Sequence, residues 1–262
     1  MSVSAAGEQE QANNEVLELL LAHRSERAFT DEPVDDATLT QVFEAARRSP
    51  TWNNAQNVSW VVVRKAESRA TLARYCGNQS WIEKAPVFVV LLMDFHKTAL
   101  AASKHGRRQV VHESVNGLLI GALDVGLVMS TMMTAARSLG LAVCPIGGVR
   151  RQMQDVIALL ELPALVVPMA GICMGHVDTR SPLEKPRLPL VSSWHDETYD
   201  DEQLFVAINM IDAEMDAYSS DLGRPDAQNW SDAISSRYGV TSYAAVAEAL
   251  RRQGFRFDSS PP

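Results

Sequence analysis

The chain has 262 residues, of which 46% are hydrophobic and 21% are charged, and its formal net charge at pH 7 is −8. This length suits one large domain with a sizeable core, or one domain with an appendage. The acidic balance disfavours broad electrostatic binding to nucleic acid, so local clusters of basic residues are better explained by recognition of a small anion.

Residues 1–13 are polar and lack the basic and apolar regions of a signal peptide, which predicts a flexible leader. Beyond them, helices are predicted where apolar residues recur at helical spacing, and strands where short apolar runs occur. The helical stretches are 14–23, one that begins at Asp35 or Asp36, and 67–75, 115–139, 151–160, 200–217 and 243–252. The strand candidates are 58–63, 87–93, 141–144 and 166–174. This pattern predicts a central sheet with helices, in an α/β or α+β fold.

The apolar stretch 115–143 is long enough to cross a membrane. It contains Asp124 and Arg137, however, and it ends near Gly140, a residue typical of helix C-termini. We therefore predict a long helix that is buried in protein. After Pro189 the sequence predicts a C-terminal helical excursion, which packs on the core or on a partner.

Two basic clusters lie far apart in the sequence, His23-Arg24-Ser25-Glu26-Arg27 and Lys185-Pro186-Arg187. Guanidinium binds phosphate bidentately, ammonium adds a point charge, and a serine hydroxyl can donate a hydrogen bond. Together they suggest a site for a phosphorylated cofactor. Two short basic clusters are also typical of a solvated surface. The segments between them must therefore show whether the clusters form a ligand site.

Two loops could contact such a ligand. Pro145-Ile146-Gly147-Gly148-Val149-Arg150 follows a strand candidate, and its glycines allow the backbone to approach a planar ligand or an anion. An ordinary glycine turn fits this segment equally well. The loop 49–56 concentrates hydroxyl and amide groups that suit the edge of a heteroaromatic ring, although a polar surface loop has the same composition.

Several kinds of catalytic site have no signature here. The sequence contains no GxSxG, GxxxxGK[ST] or HExxH motif and no GxGxxG after a strand. Cys76, Cys144 and Cys173 form no CxxC pair and no metal-ligand spacing with histidine, which favours reduced thiols and no metal site. For Cys144, a small core residue is favoured over a nucleophile.

Taken in chain order, these segments resemble the nitroreductase superfamily, and within it the branch of NADPH-dependent, oxygen-insensitive nitroreductases and FMN reductases. The similar segments are LLAHRSERAFTDEPV, the polar loop ending in Gln56, CGNQ around Gln79, PIGGVR and GICMGHVDTRSPLEKPRLP. The resemblance implies an α+β three-layer sandwich with a central mixed, mainly antiparallel sheet flanked by helices. It divides the chain into an FMN-binding core, 14–190, and a C-terminal excursion, 191–262. It also implies a homodimer with FMN at the subunit interface.

The same resemblance implies a set of contacts to FMN. The implied cofactor-binding residues are His23, Arg24, Ser25, Arg27, Thr51, Asn53, Gln56, Gln79, Pro145, Ile146, Gly147, Gly148, Lys185 and Arg187. The two basic clusters correspond to contacts with the phosphate, the ribityl chain and the pyrimidine edge. Arg27 is expected near the isoalloxazine ring, where a positive charge stabilises reduced flavin; an ion pair with Asp31 or Glu32 is its alternative role.

Arg224 is expected to bind the 2′-phosphate of NADPH, and a solvated loop arginine is the alternative. The chain also departs from the family, because relatives carry a run of serines where it has Pro50, Trp52 and Asn53. We expect this departure to affect substrate range more than flavin binding.

The implied function is an FMN-dependent NAD(P)H oxidoreductase. It transfers electrons by a ping-pong mechanism to nitroaromatics, quinones or free flavin, with flavin N5 rather than a side chain carrying the hydride. The alternative is a flavin-binding carrier or sensor without substrate turnover. We expect a cytoplasmic protein with a small-molecule electron acceptor and no nucleic-acid or membrane partner.

Overall fold

Four strands form the centre of the molecule. The computed structural model describes residues 14–178, 184–240 and 242–257, so the predicted leader 1–13 lies outside the described residues. The strands are β1 (Val58–Val63), β2 (Val87–Asp94), β3 (Ala142–Ile146) and β4 (Val166–Gly175), in the spatial order β1-β2-β4-β3. All three pairings between them are antiparallel. The mainly antiparallel sheet is confirmed, and no parallel pairing occurs among the described strands.

Ten α-helices surround this sheet within the described residues. They are α1 (Glu15–Leu21), α2 (Asp36–Ala46), α3 (Ala66–Tyr75), α4 (Ser80–Lys84), α5 (His96–Lys104), α6 (Val115–Ser138), α7 (Met153–Leu159), α8 (Leu204–Asp221), α9 (Trp230–Tyr238) and α10 (Val246–Arg252). Short 3₁₀ turns lie at Trp52–Asn54, Val111–Glu113, Gly147–Arg150 and Leu190–Ser192. Every predicted helix and strand has a counterpart, while α4, α5 and α9 lie outside the predicted stretches.

The sheet is buried on both faces, because successive side chains of a strand point to opposite sides. Along β2, Val89 and Leu91 pack with α2 and α6 in one apolar cluster. Phe88 and Val90 point the other way and pack in a second cluster with α3, α4 and α7. The arrangement of helices, sheet and helices confirms the predicted three-layer sandwich.

Helix α6 packs closely on the sheet along one face only. A Cβ on Gly121 would lie 2.0 Å from the Met93 sulfur, so a larger residue here would force the buried Met93 side chain to move. On the opposite face Leu119, Leu123 and Leu127 are 58%, 68% and 45% exposed at intervals of four residues; we call these three residues the leucine stripe. The prediction of a helix buried in protein is therefore right for one face and wrong for the other within a single chain.

By length and apolarity, α6 is also the one helix of the described residues that could cross a membrane. Its face toward the sheet contributes Val125, Val128 and Met132 to the core. This packing is typical of the central helix of a globular domain, so we interpret α6 as a core helix.

The C-terminal excursion contacts the core through Ala249 and Leu250 of α10 and through Phe255, which belong to the first apolar cluster. In α8, Ala207, Ile211 and Met215 are buried, whereas Phe205 is 80% exposed. The helix is amphipathic, as predicted, and its C-terminal half reaches the basic segments described next.

Candidate functional site

Both basic clusters line a single cavity of about 380 Å³. Its lining residues are His23, Arg24, Ser25, Arg27, Lys185, Arg187, Met215, Tyr218, Leu222 and Arg224. We call this cavity the basic cleft. It collects arginine and lysine side chains from three separate parts of the chain, so the predicted convergence of the two clusters is seen, and Arg224 joins them.

The sheet brings these segments together. The first basic cluster follows α1 and runs beside β3, where the Glu26 amide donates to the Val143 carbonyl at 3.0 Å. Phe29 then bridges to Val177, just beyond the end of β4. The second cluster also follows β4 in sequence, so adjacent edges of β3 and β4 place both clusters on the same side of the molecule.

Arg24 is held at one end of its guanidinium group. Its Nη2 donates to Glu184 Oε1 at 3.0 Å, and its side chain is 24% exposed. Its Nε is buried and donates to no described residue. A buried N–H without an acceptor is costly, and this donor is therefore available to a further group.

Lys185 and Arg187 are exposed, and Arg187 folds back on its own segment. Its Nη1 donates to the carbonyl oxygens of Lys185 and Pro186 at 2.8 and 3.2 Å. Within the described part of the chain, no carboxylate forms an ion pair with Lys185, Arg187 or Arg224. Neighbouring cations that lack a counter-charge favour the binding of an anion.

His23 lies among these cations as a neutral ring. Burial, and then the guanidinium groups of Arg137 and Arg187, lower the pKa of His23 from its ordinary value of 6.5. A neutral imidazole still has one N–H to donate, so His23 can hydrogen-bond an anion without adding a charge.

Arg27 stacks on an indole rather than pairing with a carboxylate. Its guanidinium carbon lies 5.3 Å from the ring centroid of Trp81, and its Nη1 donates to the Ser25 carbonyl at 3.2 Å. A cation over a tryptophan face is stabilised by the ring quadrupole. Among the described residues Arg27 forms no ion pair with Asp31 or Glu32, and Glu32 lies 3.8 Å from His176.

Gln79 and Gly148 are in direct contact. Gln79 Nε2 donates to the Cys76 carbonyl at 2.7 Å, and a Cβ on Gly148 would lie 2.6 Å from that nitrogen. Gly147–Arg150 forms one 3₁₀ turn directly after β3, and the helix predicted to begin near residue 151 follows it as α7. Trp81 lies two residues beyond Gln79, so Arg27 connects the basic cleft with this turn.

Replacing Gly148 with alanine is expected to lower the free energy of unfolding by about 1 to 3 kcal/mol, the range for overpacking a close contact. The added methyl would lie 2.5 Å from the Cys76 carbonyl oxygen, which belongs to the backbone. Gly147→Ala is the matched control, since its nearest neighbour would be 3.6 Å away. Urea unfolding measures both variants, and equal stability of the two would contradict the packing described here.

The polar loop lies elsewhere in the single chain. Asn53 and Gln56 adopt the left-handed backbone conformation, with φ of 49° and 51°. Thr51 Oγ1 accepts from the Gln56 amide at 3.0 Å, and the Trp52 amide donates to Asp124 Oδ1 at 3.0 Å. The loop is thus fixed on α6 beside the leucine stripe. Thr51, Asn53 and Gln56 do not line the basic cleft.

The three cysteines belong to the second apolar cluster. All three are free and buried. Burial raises the pKa of Cys76 to about 12 and also raises the pKa of Cys144. The reactive form of cysteine is the thiolate, so the prediction that Cys144 is a core residue is confirmed. The described residues hold no metal-binding group of His, Cys, Asp or Glu.

Three contributors to these contacts were missed in the sequence, namely Trp81, Asp124 as an anchor of the loop, and Tyr218 in the cleft. Trp81 adjoins the CGNQ segment, and Asp124 is an acidic residue within an apolar helix. The sequence therefore marked both positions as candidates for a role at the site. It did not mark Tyr218, because nothing in the local pattern of α8 distinguishes this residue.

Comparison with known proteins covers nearly the whole chain. Residues 20–176 match the family model described as the nitroreductase family, and residues 185–258 match the nitroreductase family, C-terminal domain. A curated FMN reductase (NAD(P)H) of Bacillus subtilis is 37% identical over 248 residues, which are 94% of this chain and 99% of that protein. An NADPH-flavin oxidoreductase of Vibrio harveyi is 32% identical over 92% of this chain and 98% of its own length. The solved structure of the hypothetical oxidoreductase YcnD from Bacillus subtilis has a TM-score of 0.91 and 37% identity, and covers 94% of this chain and 100% of that one.

Proposed function

The chain belongs to the nitroreductase family, and from that premise we propose that its basic cleft binds the phosphate end of FMN. The protein is an FMN-dependent NAD(P)H oxidoreductase, with FMN as cofactor and NADPH as co-substrate. The observation that carries the site assignment is the convergence of His23, Arg24, Ser25, Lys185 and Arg187 on one cavity.

The residues of the cleft suit a phosphate dianion. Lys185 and Arg187 have no carboxylate partner among the described residues, and Arg24 brings a third cation to the same cavity. Ser25 supplies a hydroxyl donor beside them. Each hydrogen bond between such a cation and a phosphate oxygen contributes about 1.5 to 3 kcal/mol. An uncharged ligand would leave these cations without a counter-charge.

The ring end of FMN would contact the neighbouring turn. When bound, FMN accepts hydride at N5 and passes the electrons on. Arg27, held by Trp81, would place its positive charge near the ring and favour its reduced, anionic form. Pro145, Ile146, Gly147, Gly148 and Gln79 would supply backbone and amide groups to the ring. In this proposal the side chains position FMN and stabilise its reduced form, and no side chain transfers a proton.

We also propose that two copies of the chain assemble through the leucine stripe. Leu119, Leu123 and Leu127 are contiguous apolar side chains that a single chain leaves exposed, and burial of such a patch between subunits is favourable. Trp52, 53% exposed, lies beside the stripe because its amide binds Asp124. In a two-fold dimer Thr51, Asn53 and Gln56 would then complete the flavin site of the partner subunit.

Two further assignments belong to this proposal. The division into a core, 14–190, and an excursion, 191–262, accords with the end of α8, where Tyr218 and the capping residue Leu222 close one side of the basic cleft. A cytoplasmic location accords with three free, buried cysteines, since reducing compartments keep thiols free.

The acceptor is a nitroaromatic, a quinone or free flavin, which enters after the oxidised nicotinamide has left. Initial rates at several fixed acceptor concentrations test this order. We expect parallel double-reciprocal lines against NADPH, the pattern of ping-pong turnover. Intersecting lines would contradict a shared site, and no turnover with any of the three acceptor classes would favour the carrier or sensor alternative.

Replacing Arg224 with alanine is expected to raise the KM for NADPH about tenfold while the KM for NADH stays the same. One charge-assisted hydrogen bond to the 2′-phosphate accounts for such a change. Arg224 lines the basic cleft, whereas Arg237 on α9 is exposed and lies outside it, so Arg237→Ala is the matched control. An equal rise in KM for both nucleotides would contradict this role for Arg224.

A further inference from the structure

Glu26 is a buried carboxylate beneath the basic cleft. It is 8% exposed, and its Oε1 accepts no hydrogen bond from a described residue. Its backbone is fixed by the amide bond to Val143, so the side chain has little freedom to reach solvent. A buried charge is retained only where neighbouring groups compensate it.

A small void lies next to Glu26 and is also lined by Arg24. The void has a volume of about 10 Å³ and is lined by Ala22, Arg24, Glu26, Arg137, Leu141, Ala142 and Val143. A single water needs about 10 to 15 Å³ and two to four polar partners. Arg24 and Glu26 both line this void, and each has a buried atom without a partner among the described residues, Nε of Arg24 and Oε1 of Glu26.

The two groups are complementary in hydrogen bonding. Arg24 Nε has one N–H to donate, and the Glu26 carboxylate can only accept. A water between them accepts from the first and donates to the second. On the far side of the same guanidinium, Nη2 donates to Glu184. With Nε and one Nη2 hydrogen engaged, the remaining N–H groups are free to face the cleft.

We propose that the void binds one ordered water that joins Arg24 Nε to Glu26 Oε1, and that Glu26 is a positioning residue for Arg24. Glu26 holds the guanidinium ready for the anion, so less order has to be imposed when the ligand binds. The inference rests on the proposed function in one respect, namely that the anion is the phosphate of FMN.

The test compares FMN with riboflavin, which lacks the phosphate. Holoprotein is mixed with excess riboflavin, and released FMN is separated and quantified, which gives the preference of each variant for FMN. Glu26→Leu keeps the approximate size but removes the acceptor, and we expect it to lower the preference about tenfold, the effect of one lost interaction. Glu26→Gln keeps an acceptor and should stay within about twofold of wild type.

The second comparison uses Arg24→Ala alone and together with Glu26→Leu. If Glu26 acts through Arg24, then adding Glu26→Leu to Arg24→Ala will lower the preference no further. A further tenfold loss in the double variant would overturn the proposal, as would an unchanged preference in Glu26→Leu. An unchanged preference in Arg24→Ala itself would instead overturn the phosphate assignment, so the two failures are distinguishable.

Thermal unfolding and a crystal structure are the remaining measurements of the test. Glu26→Ala gives the same comparison should the leucine variant fail to fold, and thermal unfolding of each variant identifies a general loss of structure. A merely structural role for Glu26 would weaken FMN and riboflavin equally and leave the preference unchanged. A high-resolution crystal structure should show one water within hydrogen-bond distance of both atoms; a dry void would contradict the bridge.

Discussion

Replacing Lys185 and Arg187 together with alanine is expected to weaken FMN binding at least about a hundredfold. Each side chain contributes about 1.5 kcal/mol or more through a charge-assisted hydrogen bond, and 1.4 kcal/mol corresponds to a factor of ten. Both side chains are exposed and contribute nothing to the apolar core. The fold should therefore survive, and the loss should appear as a higher dissociation constant in fluorescence titrations with FMN.

A matched control uses the same residue types elsewhere. Arg47 and Lys65 are exposed and lie outside the basic cleft. Their double replacement with alanine removes the same charge, so it reports any effect of net charge alone on the binding of a dianion. Equal affinity of the two double variants for FMN would refute the assignment of the cleft to the phosphate.

Replacing Leu123 with glutamate is expected to convert the proposed dimer to monomers at micromolar concentration and to release FMN. Leu123 is 68% exposed in the single chain and lies in the middle of the leucine stripe. In a two-fold interface the substitution would bury two carboxylates, and each unpaired buried charge costs several kcal/mol. Sedimentation velocity measures the mass, and the flavin absorbance that sediments with the protein measures retention.

Leu100→Glu is the control for this variant. Leu100 lies on α5 and is 59% exposed, so its replacement adds the same charge to a similarly exposed position outside the stripe. We expect it to leave both mass and flavin content unchanged. A Leu123→Glu protein that keeps its mass would show that the interface lies elsewhere, and a monomer that keeps its flavin would refute a site completed by the partner subunit.

Much of the fold was predictable because its elements carry strong local signals. The run 58–63 is purely apolar apart from Ser59, and β1 has these bounds. Asp35 was one of two candidates for a helix start, and its side chain accepts from the Thr38 amide at 2.8 Å. Helix α6 was predicted to within one residue, since its apolar run is long and is bounded by a serine cap.

The missed helices lack such signals. α4 has five residues, fewer than two turns, so no helical period can be recognised in it. α5 begins at His96 and has no buried residue. Its first turn is capped from β2, because Asp94 Oδ1 accepts from the Lys97 amide at 3.1 Å, so its start depends on its connection to β2. α9 has no buried residue and hence no apolar period to recognise, although Asn229 caps it by accepting from the Asp232 amide.

The site was predictable in part. The two basic clusters lie about 160 positions apart in the sequence, and their chemistry with the resemblance to a family suggested a common site. Their residues line one cavity, and Arg24 also contacts Glu184 beside the second cluster. The stacking of Arg27 on Trp81 depends on tertiary packing, which no local pattern encodes. The polar loop is a different case, because its proposed place in the flavin site requires a second copy of the chain.

Anaerobic titration of the purified holoprotein with NADPH tests the central claim most directly. We expect the protein to be isolated with bound FMN, and we expect stoichiometric NADPH to bleach the visible flavin absorbance. A nitroaromatic, a quinone or free flavin should then restore it without further NADPH. Flavin that stays oxidised in the presence of NADPH, or a protein that binds no FMN, would contradict the account.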